Sequence, residues 1–95
     1  MGGIAAAAAD PPRIVQRDEK FHPGAVELKR GDVLSVTNDD PFVHHVFVEA
    51  PQFNYDSGLQ RPGRTLAITF ERSGEYLLEC AIHLKMKLKV TVREK

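Results

Sequence analysis

The sequence predicts an all-β protein, folded as a Greek-key β-sandwich or barrel of about seven to eight short strands. Apolar residues alternate with polar ones at a period of two rather than 3.6, which is typical of strands that bury one face. Gly and Pro interrupt this pattern too often to allow a long helix. A chain of 95 residues holds one hydrophobic core and has no room for the crossover helices that parallel βαβ units need.

The strands follow in order from the alternation and from the turn-forming residues between them. The C-terminal strand is the clearest, because Leu88, Val90 and Val92 alternate with lysine, threonine and arginine. The same alternation predicts that Cys80 ends an inward-facing row. Seven strands are predicted, at about 13–17, 26–29, 32–38, 44–49, 66–70, 76–80 and 87–93. Residues 50–64 are predicted to form an ordered surface loop with at most one helical turn.

The composition excludes several classes of function. The 13 Lys and Arg residues balance 13 Asp and Glu residues, which argues against binding to nucleic acid or to an anionic membrane surface. No apolar run approaches the roughly 18 residues that a membrane-spanning helix needs. The single cysteine, Cys80, cannot form a disulfide within the chain, so its presence requires another explanation.

Residues 1–10 are expected to lie outside the fold, which leaves residues 11–95 as a single domain. The segment contains five consecutive alanines and has small residues before Asp10, which resembles the remnant of an export signal peptide. A disordered tail fits equally well, because so short an alanine run does not form a stable isolated helix. An export signal would place the protein in the periplasm or in another exported location.

Three sulfur or imidazole donors crowd one short connection. Cys80, His83 and Met86 lie three residues apart between two predicted strands. An amphipathic helix would place these positions on one face, but the flanking strands leave no room for it. A buried cysteine beside an incidental histidine is a second structural explanation, and it stays open at this point.

A further donor comes from the adjacent pair His44 and His45, at the start of another predicted strand. Neighbouring strand residues point to opposite faces, so only one of the two can join a mononuclear site from regular geometry. Two imidazoles, one thiolate and one thioether suit a copper ion, bound in a His₂Cys plane with a weak axial Met. Zinc could occupy such a site, but thioethers are unusual zinc ligands.

Several short motifs between residues 13 and 93 resemble, in the same order, those of the cupredoxin family, in particular the plastocyanin and amicyanin group. The loop with Cys80, His83 and Met86 has the spacing of the amicyanin ligand loop. The other matching elements are Phe21-His22-Pro23, Gly31-Asp32, Asn38, His44-His45-Val46 and Gly74-Glu75-Tyr76. Val43 and Leu84 depart from the family, which often has proline at both positions.

The resemblance implies a cupredoxin-like fold and a mononuclear type 1 (blue) copper site. The ligands that it implies are His44, Cys80, His83 and Met86. His45 then takes a position usually held by Asn, and Asn38 is expected to form hydrogen bonds beside the ligands rather than to bind metal. Asp39 and Asp40 are interpreted as solvated turn residues.

The function that the resemblance implies is electron transfer, in which the protein shuttles one electron between redox partners and is not an enzyme. His83 lies on the exposed loop and is the expected port for the electron. The residues expected to face a partner around it are Phe42, Ile82, Leu84 and Lys85. A small apolar surface beside lysines suits a transient redox protein partner, and the protein itself is expected to be a monomer.

Two other functions would use the same residues. A periplasmic copper carrier or resistance protein would have the same donors but would release the metal. Cys80 and His83 could instead form a nucleophile pair, but no oxyanion hole or orienting third group is evident. The four histidines of the chain are too few for the second copper centre of a multicopper oxidase or a nitrite reductase.

Overall fold

The computed structural model describes residues 12–95, and the predicted tail at residues 1–10 lies outside the described residues. The described chain forms nine strands in two packed β-sheets. The strands are β1 (Arg13–Arg17), β2 (Lys20–His22), β3 (Ala25–Lys29), β4 (Val33–Asn38), β5 (Val46–Ala50), β6 (Phe53–Asp56), β7 (Thr65–Thr69), β8 (Gly74–Cys80) and β9 (Lys87–Arg93). Within this part of the chain, no helix has the length and apolarity of a membrane span.

The two sheets form a β-sandwich, which confirms the predicted fold class. One sheet has the strand order β2-β1-β4-β7, and the other has the order β3-β9-β8-β5-β6. β1 pairs with β4, and β3 with β9, in parallel, whereas the other neighbouring strands are antiparallel. The chain crosses from one sheet to the other five times, between β2 and β3, β3 and β4, β4 and β5, β6 and β7, and β7 and β8. Residues far apart in sequence therefore meet at the ends of the sandwich.

The core lies between the sheets and is built from the inward-facing rows that the alternation predicts. On β8 this row consists of Tyr76, Leu78 and Cys80, all of them buried. The rings of Phe70 and Tyr76 pack with centroids 5.2 Å apart near the start of β8, while Cys80 lies at its end. Burying one large apolar side chain contributes about 1.5–3 kcal/mol. The fully buried apolar residues include Ile14, Leu34, Val36, Val46, Val48, Phe70, Leu78, Leu88 and Val90.

The structure contains two strands, β2 and β6, that the sequence analysis does not predict. β6 lies inside residues 50–64, so the prediction of a loop with at most one helical turn is wrong for this segment. Its two aromatic residues are only half-buried because β6 is an edge strand. Asn54 and Asp56, which flank Tyr55, give the segment the composition of a turn. Backbone pairing with β5 therefore forms a strand that local composition does not reveal.

His44 lies just before β5 rather than inside it. The predicted strand begins at residue 44, but β5 begins at Val46, because His44 pairs with Gln60 in an isolated bridge. The amide of His44 donates to the carbonyl of Gln60 at 2.9 Å, and the amide of Gln60 donates back at 2.7 Å. This bridge fixes the backbone of His44 against the segment that follows β6.

The two-residue turn between β1 and β2 has unusual backbone geometry. Asp18 and Glu19 have φ angles of 56° and 57°, in the left-handed region that a type I′ hairpin turn requires at both positions. A non-glycine residue adopts this region at a cost of about 1–2 kcal/mol, although aspartate does so more readily than glutamate. The amides of both residues donate to the carboxylate of Asp40, at 2.6 and 3.1 Å, which offsets part of this cost.

Glu19→Gly is expected to stabilise the protein by about 0.5–1 kcal/mol, because glycine adopts the left-handed region without steric cost and keeps the amide that donates to Asp40. Urea denaturation followed by circular dichroism measures the effect. Lys20→Gly is the matched control, since Lys20 lies in β2 without a positive φ and glycine should weaken the strand there. A Glu19→Gly protein that is no more stable than the wild type would show that this turn is not strained.

Candidate metal centre

Cys80 occupies the inward-facing end of β8, where its side chain is fully buried. The register of the sheet places it opposite Val46 of β5. The amide of His45 points at its sulfur with an N–Sγ distance of 3.5 Å, and the amide of Ala81 donates to the carbonyl of His45 at 2.8 Å. The thiol is therefore held by backbone contacts at the point where the chain leaves the sheet.

The imidazole of His44 lies beside the sulfur of Cys80. Its side chain is fully buried, and its Nδ1 atom is 3.6 Å from Sγ of Cys80. The isolated bridge to Gln60 holds the backbone, so the ring has little freedom to leave this position. His44 thus places one ring nitrogen beside the sulfur of Cys80, in the interior of the protein.

His83 approaches the same sulfur from the loop between β8 and β9. Its Nδ1 atom is 3.7 Å from Sγ of Cys80, and its ring centroid is 5.1 Å from that of His44. Unlike the ring of His44, the ring of His83 is partly exposed. The centre therefore has one imidazole inside the protein and one that reaches the surface.

Met86 closes the loop and begins the inward-facing row of β9. Its side chain is 2% exposed, and the next buried positions of the row are Leu88 and Val90. The amide of Met86 donates to the carbonyl of His83 at 2.9 Å, which makes the end of the loop a tight turn. The thioether is thus kept in the interior by the sheet, one residue before β9.

Asp40 contacts the far side of the His44 ring, where its Oδ2 atom lies 2.8 Å from Nε2. Burial raises the pKa of Asp40, but hydrogen bonds from His44 and from the amides of Glu19 and Asp18 outweigh that effect and leave the pKa below its ordinary value. An ionised carboxylate only accepts hydrogen bonds, so Nε2 of His44 is the donor in this contact.

The interpretation of Asp40 as a solvated turn residue is wrong, because the residue is only 5% exposed. The sequence holds no signal that separates it from Asp39, whose carboxylate forms an ion pair with Arg17 at the surface. The difference arises because Asp40 meets the turn between β1 and β2, 21 and 22 residues away in the chain.

Two buried amide side chains hold the segment that leads to His44. The amide group of Asn38 donates to the carbonyls of Phe42 and Gln60, at 2.9 and 3.0 Å, and its oxygen accepts from the amide of Asp40 at 2.9 Å. Gln60, which the sequence analysis does not identify, donates to the carbonyls of Val36 and Arg64 at 3.0 and 2.8 Å. These bonds satisfy buried backbone groups and fix the chain between β4 and His44.

The ring of His45 contacts β6, whereas the ring of His44 lies beside Cys80. Its Nε2 atom is 2.6 Å from Oδ1 of Asp56, and the ring is partly exposed. The amide of Gly58 and then the ring of His45 stabilise the Asp56 carboxylate, which lowers the pKa of Asp56. His45 therefore contacts the β6 edge of the sheet, and its ring is not part of the Cys80 cluster.

The exposed edge of His83 is surrounded by apolar side chains. Phe42, Ile82 and Leu84 are 37%, 46% and 70% exposed. The rings of Phe42 and His83 have centroids 5.4 Å apart, which places Phe42 beside the exposed imidazole. Lys85, the next residue of the loop, is also exposed. We call the surface formed by Phe42, Ile82, His83 and Leu84 the loop patch.

The donor atoms have the spacing and chemistry for one metal ion. One ligand atom from each of His44, Cys80 and His83 lies within 4.8 Å of the other two. Bonds of about 2.0 Å to nitrogen and about 2.3 Å to sulfur allow a nitrogen and a sulfur on one ion to lie up to about 4.3 Å apart. Both nitrogen–sulfur distances fall within that limit. Thiolate and imidazole donors favour copper or zinc over magnesium or calcium.

Comparison with known proteins identifies curated relatives with similar sequences. No family model matches the chain. Chloroplastic plastocyanin from Tetradesmus obliquus is 31% identical over 72 residues, which cover 66% of this chain and 50% of the relative. The chain therefore spans about half the length of this plastocyanin.

Solved structures share the fold over most of the chain. A reduced Cu(I) form of an amicyanin variant matches with a TM-score of 0.81 and 21% identity, over 93% of this chain and 87% of that one. A purple cupredoxin from Nitrosopumilus maritimus matches with a TM-score of 0.76 and 22% identity, over 85% and 98%. A copper-containing nitrite reductase from Thermus scotoductus matches with a TM-score of 0.81 and 25% identity, over 97% of this chain but only 25% of the enzyme chain.

Proposed function

We propose that this chain is a cupredoxin, because it shares the fold of that family and is similar in sequence to plastocyanin. In this proposal it binds one copper ion in a type 1 centre and carries single electrons. The observation that supports the proposal most directly is the approach of two imidazole Nδ1 atoms to Sγ of Cys80, at 3.6 and 3.7 Å. When bound, copper supplies a couple between Cu(I) and Cu(II) that exchanges one electron.

In this proposal each donor has a distinct role. Cys80 would hold the metal as a thiolate, and His44 and His83 would hold it through Nδ1. Met86 would supply a weak thioether donor, since its side chain is buried one residue before β9. The sheets or the bridge at Gln60 hold three of these side chains, so their positions are fixed by the fold. A site that needs little rearrangement between two oxidation states favours rapid electron transfer.

The loop patch is the proposed contact with a redox partner. His83 reaches the surface there, so an electron that enters or leaves through its ring crosses no further protein layer. Phe42, Ile82 and Leu84 form an apolar surface of only a few side chains, which suits a brief contact rather than a permanent interface. The protein is accordingly proposed to be a monomer that meets its partner transiently.

We propose that the chain is not an enzyme, despite the similarity to nitrite reductase. The chain corresponds to one quarter of that enzyme. His22 and His45 contact the carbonyl of Arg17 and the carboxylate of Asp56, respectively, and neither joins the cluster at Cys80. A second copper centre would need further histidines that the four in the chain do not supply.

A periplasmic or otherwise exported location is also part of the proposal. An oxidising compartment threatens a lone thiol, and metal coordination would protect Cys80 there. The test is fractionation of cells that express the chain, with the copper-loaded protein expected outside the cytoplasm.

The purified protein is expected to bind Cu(II) in a one-to-one ratio and to develop an intense thiolate-to-copper band in the visible spectrum. Titration with Cu(II) followed by absorption spectroscopy measures this. Cys80→Ser should abolish the band, and His44→Ala should abolish or strongly shift it. His45→Ala is the matched control and should keep it. A wild-type protein that takes up zinc and rejects copper would contradict the proposal.

Met86→Gln is expected to lower the reduction potential, because an amide oxygen is a harder donor that favours Cu(II). Met86→Leu should raise it, since leucine fills the same volume without an axial donor. Cyclic voltammetry of the copper-loaded variants measures both changes. Unchanged potentials in both variants would mean that Met86 is a core residue and not a ligand.

Leu84→Lys is expected to slow electron self-exchange by about tenfold, since it places like charges face to face where two loop patches meet. Exchange broadening in NMR spectra of mixed Cu(I) and Cu(II) protein measures the rate. Leu77→Lys, at an exposed position within β8, is the matched control and should have little effect. Rapid loss of copper to a competing chelator, combined with slow self-exchange in the wild type, would instead favour a copper carrier.

A further inference from the structure

Asp40 is the one acidic side chain in contact with the cluster of donors among the residues that the structure describes. Its carboxylate accepts three hydrogen bonds, from Nε2 of His44 at 2.8 Å and from the amides of Asp18 and Glu19 at 2.6 and 3.1 Å. Its own amide donates to Asn38 at 2.9 Å. Both the backbone and the side chain of Asp40 are therefore fixed, four residues before His44.

We propose that Asp40 is a positioning residue of the metal centre, whose carboxylate is held by the turn between β1 and β2 and accepts the Nε2 proton of His44. The consequence is that Nδ1 of His44 is unprotonated and faces Sγ of Cys80 before any metal binds. The effect on copper rests on the proposed function, whereas the orientation of His44 is a property of the metal-free protein.

The turn holds the carboxylate through its two amides, and the pairing of β1 with β2 fixes the residues on both sides of the turn. Both turn residues have positive φ angles, and this conformation turns their amides towards the same side. β1 is anchored to β4 by a parallel ladder, and Arg17 is paired with Asp39 at 2.8 Å. The turn thus reaches the metal centre through two successive contacts, from the amides of Asp18 and Glu19 to Asp40 and from Asp40 to His44.

A carboxylate is the group that this position requires. All three groups that face it are N–H donors, and an ionised carboxylate has only acceptors. An asparagine would have to direct its NH₂ group at one of the two sides. If the NH₂ group replaced Oδ1, it would face the amide of Asp18, and two donors would meet. If it replaced Oδ2, it would face the amide of Glu19 and Nε2 of His44, and His44 would then have to carry its proton on Nδ1.

The same hydrogen bond changes the electron density of the ligand. A histidine that donates its second N–H to a carboxylate becomes a more basic ligand through its other nitrogen. A more basic imidazole favours Cu(II) over Cu(I). Asp40 should therefore lower the reduction potential as well as fix the ring.

The first test uses the copper-free wild-type protein. Long-range ¹H–¹⁵N spectra assign the proton positions of each histidine ring, at a pH where a free imidazole is neutral. His44 is expected as the Nε2–H tautomer. A proton on Nδ1, whether alone or together with one on Nε2, would overturn the proposal. This measurement needs neither copper nor a folded variant, so it stays decisive if the proposed function fails.

The second test compares Asp40→Asn with Asp39→Asn, an equal change of charge one residue away. Cu(II) affinity of Asp40→Asn is expected to fall by about 10- to 100-fold. Each tenfold loss for Cu(II) beyond that for Cu(I) raises the potential by about 59 mV. Chelator competition and voltammetry measure the two effects, and Asp39→Asn should match the wild type. Equal effects of the two variants, or no effect of Asp40→Asn, would overturn the proposal. A failure of the wild type to bind copper would instead refute the proposed function.

Discussion

The candidate metal centre depends on the burial of the Cys80 sulfur at the inward-facing end of β8. The sulfur shares its face of the strand with Leu78 and Tyr76, so it cannot turn to solvent without moving the row of side chains that forms the core. β5 lies beside β8 and brings His44 to the sulfur, and the return to β9 brings His83. The packing of the sandwich therefore brings the donors together.

The two sheets contribute different parts of the centre. Cys80, His83 and Met86 all belong to β8, β9 and the loop between them, in the five-stranded sheet. The groups that orient His44 come from the four-stranded sheet, through the turn between β1 and β2 and through Asn38 at the end of β4. A change in how the sheets pack would consequently move the ring of His44 relative to the sulfur.

Buried polar groups replace apolar packing beneath His44. Asn38, Asp40 and Gln60 are each at most 5% exposed, and burial of such groups is costly unless their hydrogen bonds are made. Here the side chains form hydrogen bonds to backbone groups and to His44, so the network offsets the cost of burial and fixes the ring of His44. Among residues 12–95, no comparable set of hydrogen bonds holds the ring of His83, which is partly exposed. The centre therefore has one buried imidazole and one accessible imidazole.

The sequence by itself determined the inward-facing rows of the strands and the spacing of Cys80, His83 and Met86, because alternation and loop length are local properties of a chain. It also limited the choice between His44 and His45 to one inward ring. Only the tertiary structure decided that residues 53–56 form an edge strand and that Asp40 and Gln60 lie inside. The edge strand arises from backbone pairing with β5, which its turn-like composition does not reveal. The burial of Asp40 and Gln60 arises from contacts between residues about 20 or more positions apart, such as Asp18 with Asp40 and Asn38 with Gln60. No local pattern encodes such contacts, since they exist only after the two sheets have packed.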